Sequence, residues 1–224
     1  MNHIIEHLLN KRTLWQGRYT SKPKHLVSSG YPELDVQLDG GVPKQGVVEL
    51  QTQLGIGELR LLIPFLTALH QQKRTLVFIA PPLHINSEML LANGFELDRV
   101  LVIQSQTDAE KLWAAEQCLK SGCCHTVLLW QNHLQVHQVK RLQLAAQKGD
   151  ALQVIFRNEV PCQEALPTTL SLQLYPSVEG IHVKIHRRKG AWNRANFNVN
   201  MQPHWPELIR HKNNLIAFPK ARTG

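Results

Sequence analysis

The residues best placed to do chemistry lie in a glycine-containing loop between a predicted strand and a predicted helix. The strand ends at Leu50, the loop runs from Gln51 to Gly57, and the helix begins at Glu58. In nucleotide-binding α/β proteins this layout presents backbone N–H groups and a helix N-terminus to phosphates. The side chains of the loop therefore decide whether it can handle phosphate and Mg²⁺.

Those side chains lack the chemistry of a phosphate loop. The motif needs a Gly five residues before its last Gly, followed by Lys for the phosphates and Ser or Thr for Mg²⁺. The corresponding positions hold Thr52, Gly57, Glu58 and Leu59, and Gly55 is the other glycine. A carboxylate suits a helix start but repels a phosphate. We therefore predict a degenerate loop that binds no cofactor.

The second requirement of such a site fails as well. NTPases of this type hold Mg²⁺ with an Asp at the end of a middle strand. The corresponding strand, Thr126–Leu129, is followed by Trp130, Gln131 and Asn132, which carry no charge. Arg60, the nearest cation, lies two positions too late to replace the missing Lys. We therefore predict no catalytic residue and no enzyme activity.

The cysteine and histidine clusters do not have the spacing of metal sites. The cysteines lack the two-residue knuckle of zinc sites, and the histidine pair lacks the Glu of an H-E-x-x-H helix. Small buried thiols explain the cysteines better. We predict no metal site among Cys118, Cys123, Cys124, His125, His133 and His137.

The composition is that of a single globular domain with a basic end. Of 224 residues, 43% are hydrophobic and 19% charged, and the net charge is +8. Residues 180–224 hold nine of the 25 Lys and Arg but one of the 17 Asp and Glu. No apolar run is long enough to cross a membrane, and the first ten residues do not resemble a signal peptide. We therefore expect a cytoplasmic protein without membrane contacts.

Two groups of residues in the basic end are candidates for binding. Cations neutralise phosphates and an aromatic ring can stack on an unpaired base. Apolar anchors in a basic, proline-containing segment are typical of a peptide that orders on a partner. The predicted DNA-binding residues are Arg187, Arg188, Lys189, Trp192 and Arg194. The predicted partner-binding residues are Trp205, Leu208, Ile209, Ile216 and Phe218.

Aliphatic runs alternate with helical patterns along the middle of the chain. This alternation predicts an α/β fold in which helices flank a parallel sheet. Ser171–Leu174 and Ile181–His186 then predict a C-terminal β-hairpin. We divide the chain into an N-terminal helix and linker at 1–27, a core at 28–190, and a basic, proline-containing tail at 191–224. The predicted buried strands are Val47–Leu50, Thr75–Ala80, Val100–Gln104, Thr126–Trp130 and Leu152–Phe156.

Several segments together resemble a known family. The stretch from Ser28 to Leu50 is similar to the entry into the RecA core. As a set, the segments resemble the ImuA family, whose members are RecA-related, act in SOS mutagenesis and share features with the cell-division inhibitor SulA. The segments that carry the resemblance are Trp15–Gly17, Gly55–Leu62, Ala80–Pro82, Leu112–Gln117 and Arg141–Ala146.

The resemblance implies a function and partners. It implies a RecA-like core, with Pro82 near the place of the catalytic Glu and Asn158-Glu159 at the place of the nucleotide-sensing pair. It also implies a non-enzymatic accessory factor of translesion synthesis. The implied partners are DNA, an ImuB-like inactive polymerase homologue and an error-prone replicative-type DNA polymerase, with RecA as a further candidate.

Two other functions are alternatives to this reading. The first is a SulA-type inhibitor that blocks the division protein FtsZ. Such an inhibitor needs neither the RecA-like entry at 28–50 nor the basic tail, and both are present. The second is a RecA-like ATPase, against which Glu58 and Trp130 argue. The resemblance therefore favours the translesion factor.

Overall fold

The computed structural model describes residues 26–158, 166–190 and 194–208. The strands are β1 (Leu26–Val27), β2 (Val42–Pro43), β3 (Gly46–Thr52), β4 (Thr75–Ile79), β5 (Val100–Ile103), β6 (Cys124–Trp130), β7 (Leu152–Arg157), β8 (Leu170–Ser177), β9 (Gly180–Arg188) and β10 (Asn196–Asn200). The α-helices are α1 (Pro32–Gln37), α2 (Glu58–His70), α3 (Ser87–Ala92), α4 (Asp108–Lys120) and α5 (Val136–Lys148), and short 3₁₀ turns occur at Leu97–Arg99 and Pro206–Leu208.

Eight strands form one sheet in the order β10-β9-β8-β3-β7-β6-β4-β5. The strands from β8 to β5 in that order run parallel, whereas β9 and β10 are antiparallel to their neighbours. The predicted α/β fold, a mainly parallel sheet with flanking helices, is confirmed. Its parallel strands place their carboxyl ends, and the loops that follow them, along one edge of the sheet.

Two hydrophobic layers lie on the two faces of the sheet. Successive residues of a strand point to opposite faces, and both neighbours are buried in the central strands. Val77 and Ile79 of β4 belong to one layer, for example, while Leu76 and Phe78 belong to the other. Burial on both faces explains why these strands appear in the sequence as unbroken aliphatic runs.

The core continues beyond the end predicted for it. β8 and β9 pair antiparallel, but they do not end the sheet, because β10 pairs with β9 from Asn196 to Asn200. Met201 is 1% exposed and Trp205 6% exposed, and both belong to the larger hydrophobic layer. The predicted boundary at residue 190 therefore does not coincide with the end of the core. Residues 1–25 and 209–224 lie outside the described residues.

Within the described part of the chain, no helix is both long and apolar enough to cross a membrane.

Candidate functional site

The loop between β3 and α2 is closed by its own carboxylate. Gly55 and Gly57 have φ values of 84° and 100°, in the left-handed region that suits glycine. Their N–H groups donate to Oε1 and Oε2 of Glu58, each at 3.1 Å, and Glu58 is only 7% exposed. The Glu58 carboxylate therefore occupies the two N–H donors that could otherwise bind an anion, and its negative charge repels anions.

The other loop residues are also engaged within the protein. The Thr52 hydroxyl donates to the carbonyl oxygen of Gln53 at 2.9 Å. Leu59 stands at the position of the Mg²⁺-binding Ser or Thr and packs against the larger hydrophobic layer. Position 59 therefore contributes to packing and has no hydroxyl to offer a metal.

Beside the loop, a cavity of about 360 Å³ opens at the carboxyl ends of the parallel strands. Trp130 lines it and stacks on Phe156, with ring centroids 4.5 Å apart and an interplanar angle of 6°. The ring of Phe78 is stacked on the other side at 6.3 Å. Pro82 also lines the cavity, and its side chain has no group that could activate water. The cavity wall is therefore aromatic where an NTPase carries its metal-binding carboxylate.

A buried ion pair supports the floor of this cavity. Nη1 of Arg157 lies 2.5 Å from Oε1 of Glu49, and the two side chains are 4% and 3% exposed. Ser171 donates to the other Glu49 oxygen at 2.8 Å, and Arg157 Nε donates to the carbonyl of Asn132 at 3.0 Å. This network was not predicted from the sequence. The available signal was one charged residue in each of two otherwise uncharged strands.

A groove of about 350 Å³ lies on the other side of the loop. Its lining is mainly apolar and includes Leu59, Ile85 and Met89. Two leucines at its rim are unusually exposed, Leu54 at 50% and Leu83 at 64%. Exposed large apolar side chains grouped around a groove are typical of contact surfaces.

The structure divides the predicted DNA-binding residues. Arg188 forms an ion pair with Asp39 and donates to the carbonyl of Gln37 at 3.1 Å, so its side chain is only 13% exposed. It holds β9 against the segment after α1 and is not free for phosphate. Arg187, Lys189 and Arg194 are exposed. Trp192 lies outside the described residues.

Trp205, the first of the predicted partner-binding residues, is a core residue. Its Nε1 donates to the Tyr31 hydroxyl at 3.2 Å, and the Arg60 guanidinium lies 5.4 Å from the centre of its ring. A side chain that is 6% exposed cannot serve as a mobile anchor, which corrects that prediction. Leu208 ends the 3₁₀ turn that follows. The remaining predicted anchors, Ile209, Ile216 and Phe218, lie outside the described residues.

Two histidines that the sequence analysis did not connect form a buried pair. Nδ1 of His70 lies 3.4 Å from Nε2 of His125, and Nδ1 of His125 lies 3.0 Å from the Thr126 hydroxyl. The Glu96 N–H can only donate, so it makes His70 Nε2 an acceptor at 3.1 Å. In the neutral pair His70 then donates from Nδ1 to His125, which donates to Thr126. A proton added to His125 Nε2 would place its N–H opposite the Nδ1–H of His70, and two donors cannot hydrogen-bond to each other.

Because of this buried pair, we expect the free energy of unfolding to fall at acidic pH. Burial lowers the pKa of His70. Burial, followed by the neighbouring His70 and then by the charge of Arg74, lowers the pKa of His125 to about 3. The unfolded chain therefore binds protons first as the pH falls below about 6.5. The free energy of unfolding should be highest above that pH and fall by about 2 kcal/mol for His125 between about pH 7 and 5.

Urea unfolding at the two pH values tests this prediction. In a His125→Asn variant the difference between the two pH values should shrink by about 2 kcal/mol. The exposed His84 provides the control, because His84→Asn should leave the difference unchanged. An equal acid response in all three proteins would contradict the prediction.

Among the described residues, no group of three or more His, Cys, Asp and Glu side chains is placed to hold a metal ion. Within the described part of the chain, His133 and His137 therefore do not belong to a group of three possible metal ligands.

Comparison with known proteins relates the parallel half of this sheet to one family. The family described as "Cell division inhibitor SulA" matches residues 46–153. Cell division inhibitor SulA of Pseudomonas aeruginosa is 35% identical over 135 residues, which are 56% of this chain and 83% of that protein. SulA of Photorhabdus laumondii is 33% identical over 98 residues, 44% of this chain. The match spans only 55% of the Photorhabdus protein.

A solved structure is also similar in sequence. The crystal structure of SulA from Pseudomonas aeruginosa shares 33% sequence identity and covers 50% of this chain and 98% of its own, with a TM-score of 0.43.

These relatives correct the function predicted from sequence. The expected translesion factor is wrong, because the matched family consists of cell division inhibitors. The partners expected with it, which were DNA, an ImuB-like homologue and an error-prone polymerase, with RecA as a further candidate, are wrong for the same reason. The relation to SulA, which the resemblance implied, is supported by these matches. With 35% identity over 83% of the Pseudomonas relative, the chain belongs to the SulA family.

Proposed function

We propose that this chain is a cell division inhibitor of SulA type, made in the SOS response, that acts by binding FtsZ. The observation that carries the proposal is the identity of 35% to the Pseudomonas inhibitor over most of that protein's length. The closed loop supports it, because Glu58 occupies the N–H groups that a nucleotide phosphate would use. In this proposal the fold provides a surface that binds FtsZ.

The extent of the family match indicates where that surface lies. Residues 46–153 include strands β3 to β6, helices α2 to α5 and the first two residues of β7, but not β8 to β10 or any residue after them. A function shared across the family is carried by residues that the family shares. The basic end of β9 and the tail are therefore poor candidates for the FtsZ contact.

Within the matched residues, the groove beside the loop is the best candidate for the contact. Leu54 follows β3 and Leu83 follows β4, so two loops at the same edge of the sheet supply the two leucines of the groove. Each is at least half exposed, and the groove between them is concave and mostly apolar. Binding energy at protein interfaces concentrates in a few such anchors. Arg60 and His84 in the same lining add polar groups for orientation.

Replacing both leucines with serine should weaken FtsZ binding without unfolding the protein. Loss of two anchors should cost about 2 kcal/mol or more, which is about a thirtyfold rise in Kd. Titration against purified FtsZ measures this directly. In cells, the unaltered chain should block division and produce filaments when expressed, and the Leu54→Ser, Leu83→Ser variant should produce fewer.

Leu144→Ser is the matched control, since Leu144 is 67% exposed, lies in the family-matched region and belongs to α5, away from the groove. It should bind FtsZ as the unaltered chain does. Absence of any FtsZ binding by the unaltered chain would contradict the proposed function. Equal binding by all three proteins would place the contact elsewhere on the surface.

A further inference from the structure

One cation in the lining of the groove beside the loop has no polar partner in the structure. Arg60 is the third residue of α2, is half-buried and lines the groove together with Leu54 and Leu83. Among the described residues, its guanidinium forms no ion pair and no hydrogen bond, and it lies 5.4 Å from the centre of the Trp205 ring. Its N–H donors are therefore available to a partner that enters the groove.

The four other arginines of the described chain that are buried or half-buried all have polar partners. Three of them form ion pairs, and the fourth, Arg74, donates to three backbone carbonyl oxygens. The three pairs are Arg99 with Glu96, Arg157 with Glu49, and Arg188 with Asp39. A guanidinium has five N–H donors, and donors that lose water without gaining an acceptor cost binding energy. A partner that covers this groove must therefore bring an acceptor for Arg60.

Two residues outside the groove hold Arg60 in place. Nε1 of Trp205 donates to the Tyr31 hydroxyl at 3.2 Å, and that hydroxyl donates to the Arg60 carbonyl oxygen at 3.4 Å. The guanidinium itself lies over the Trp205 ring. An arginine stacked on an aromatic face is fixed in orientation while its N–H groups stay free for hydrogen bonds. Trp205 therefore acts on the groove through Arg60.

Glu58, in the same lining, does not neutralise this charge. Residues two positions apart on a helix do not face each other. The Glu58 oxygens instead accept the N–H groups of Gly55 and Gly57. The groove therefore combines apolar walls with a cation that is left unpaired within the described part of the structure.

We propose that Arg60 binds a carboxylate of FtsZ that lies between apolar side chains, and that Trp205 positions the guanidinium for this contact. The inference rests on the proposed function and names the chemistry of the surface that the groove recognises. The two oxygens of a carboxylate match two guanidinium N–H groups, and its charge balances the cation once water is excluded. A neutral carbonyl oxygen would leave a buried charge unpaired.

Titration of FtsZ with variants at position 60 tests the pairing. Arg60→Gln should raise the Kd about thirtyfold, because it leaves the FtsZ carboxylate covered without its cation. Arg60→Lys should recover part of this loss, since it keeps the charge but not the paired N–H groups. Lys140→Gln is the control, because Lys140 is an exposed cation of α5 within the family-matched residues. It should bind FtsZ as the unaltered chain does.

A charge reversal identifies the carboxylate. Arg60→Glu should raise the Kd about a hundredfold, because two carboxylates then face each other. Among FtsZ variants with single surface Asp or Glu residues changed to Lys, at least one should restore most of the binding to this chain. A change in FtsZ cannot repair a folding defect of the inhibitor, so such a rescue reports the contact itself.

Trp205→Leu tests the positioning role. Loss of the ring beneath the guanidinium should raise the Kd about fivefold in the otherwise unaltered chain. In the Arg60→Gln background the same change should leave the Kd unaltered. Urea unfolding of each variant gives its folded fraction, so that folded protein is compared with folded protein. An equal loss of binding in both backgrounds would show that Trp205 acts through the fold alone.

The outcomes separate this inference from the proposed function. Absence of FtsZ binding by the unaltered chain would contradict the proposed function and the pairing together. If the unaltered chain binds FtsZ, and Arg60→Gln and Arg60→Glu change the Kd by less than about twofold, the pairing alone is overturned. The pairing is likewise overturned if Arg60→Glu abolishes binding and no charge reversal in FtsZ restores it.

Discussion

Replacing Trp205 with alanine is expected to lower the free energy of unfolding by about 3 to 5 kcal/mol, the usual cost of removing a large buried ring. The indole fills a space against Tyr31 and Arg60, and its N–H satisfies the Tyr31 hydroxyl. Urea unfolding monitored by circular dichroism measures the change. Truncation after Met201 should cost at least as much, because it removes the same ring together with the His204 contact to Gly30.

Two controls make this result specific. Val178 is 90% exposed in the turn between β8 and β9, so Val178→Ala should change the unfolding free energy by less than about 0.5 kcal/mol. Tyr31→Phe removes only the hydroxyl and should cost about 1 kcal/mol. A Trp205→Ala protein as stable as the Val178→Ala protein would show that the segment after β10 is not part of the core.

Breaking the buried pair between Glu49 and Arg157 is expected to cost about 3 to 5 kcal/mol, because one substitution leaves a buried charge without its partner. Arg157→Met leaves the buried Glu49 carboxylate without its partner. Glu49→Leu leaves the buried Arg157 guanidinium without its partner. Replacing both with apolar residues of similar size should recover most of the loss, since a buried pair is often no more stabilising than a hydrophobic one. Urea unfolding of the three variants completes the double-mutant cycle.

The surface pair of Lys44 and Asp150 is the matched comparison. Its side chains are 25% and 59% exposed, and its atoms are 3.1 Å apart. Lys44→Met should change stability by less than about 1 kcal/mol, because water screens an exposed pair. If the double variant at Glu49 and Arg157 loses the sum of the two single losses, the ion pair does not couple the two strands.

Much of the sheet could be predicted from the sequence, because strands buried on both faces leave unbroken aliphatic runs. Thr75–Ala80 and Leu152–Phe156 differ from β4 and β7 by one residue at one end. β10 was missed for the converse reason. Its residues alternate Asn with Phe197 and Val199, and an edge strand with polar residues on its open face is hard to tell from a loop.

The contacts that define the site and the end of the core could not be predicted, since they join residues far apart in the chain. Trp205 meets Tyr31 across 174 positions, so a proline-containing segment that looks like a free tail is held by a partner near the other end. Arg157 meets Glu49 across 108 positions. The role of Glu58 depends on left-handed φ values at Gly55 and Gly57, which composition does not reveal.

The carboxylate inside the loop has a consequence for how inhibition ends. In nucleotide-driven switch proteins, hydrolysis of the bound triphosphate changes the loop that contacts its γ-phosphate. The rate of hydrolysis therefore sets how long a partner stays bound. Here Glu58 is covalently part of the loop, and no chemical step removes its charge. Under the proposed function, no hydrolysis step in the inhibitor would therefore end its complex with the target. Its effect then lasts as long as the complex stays associated and the inhibitor remains in the cell.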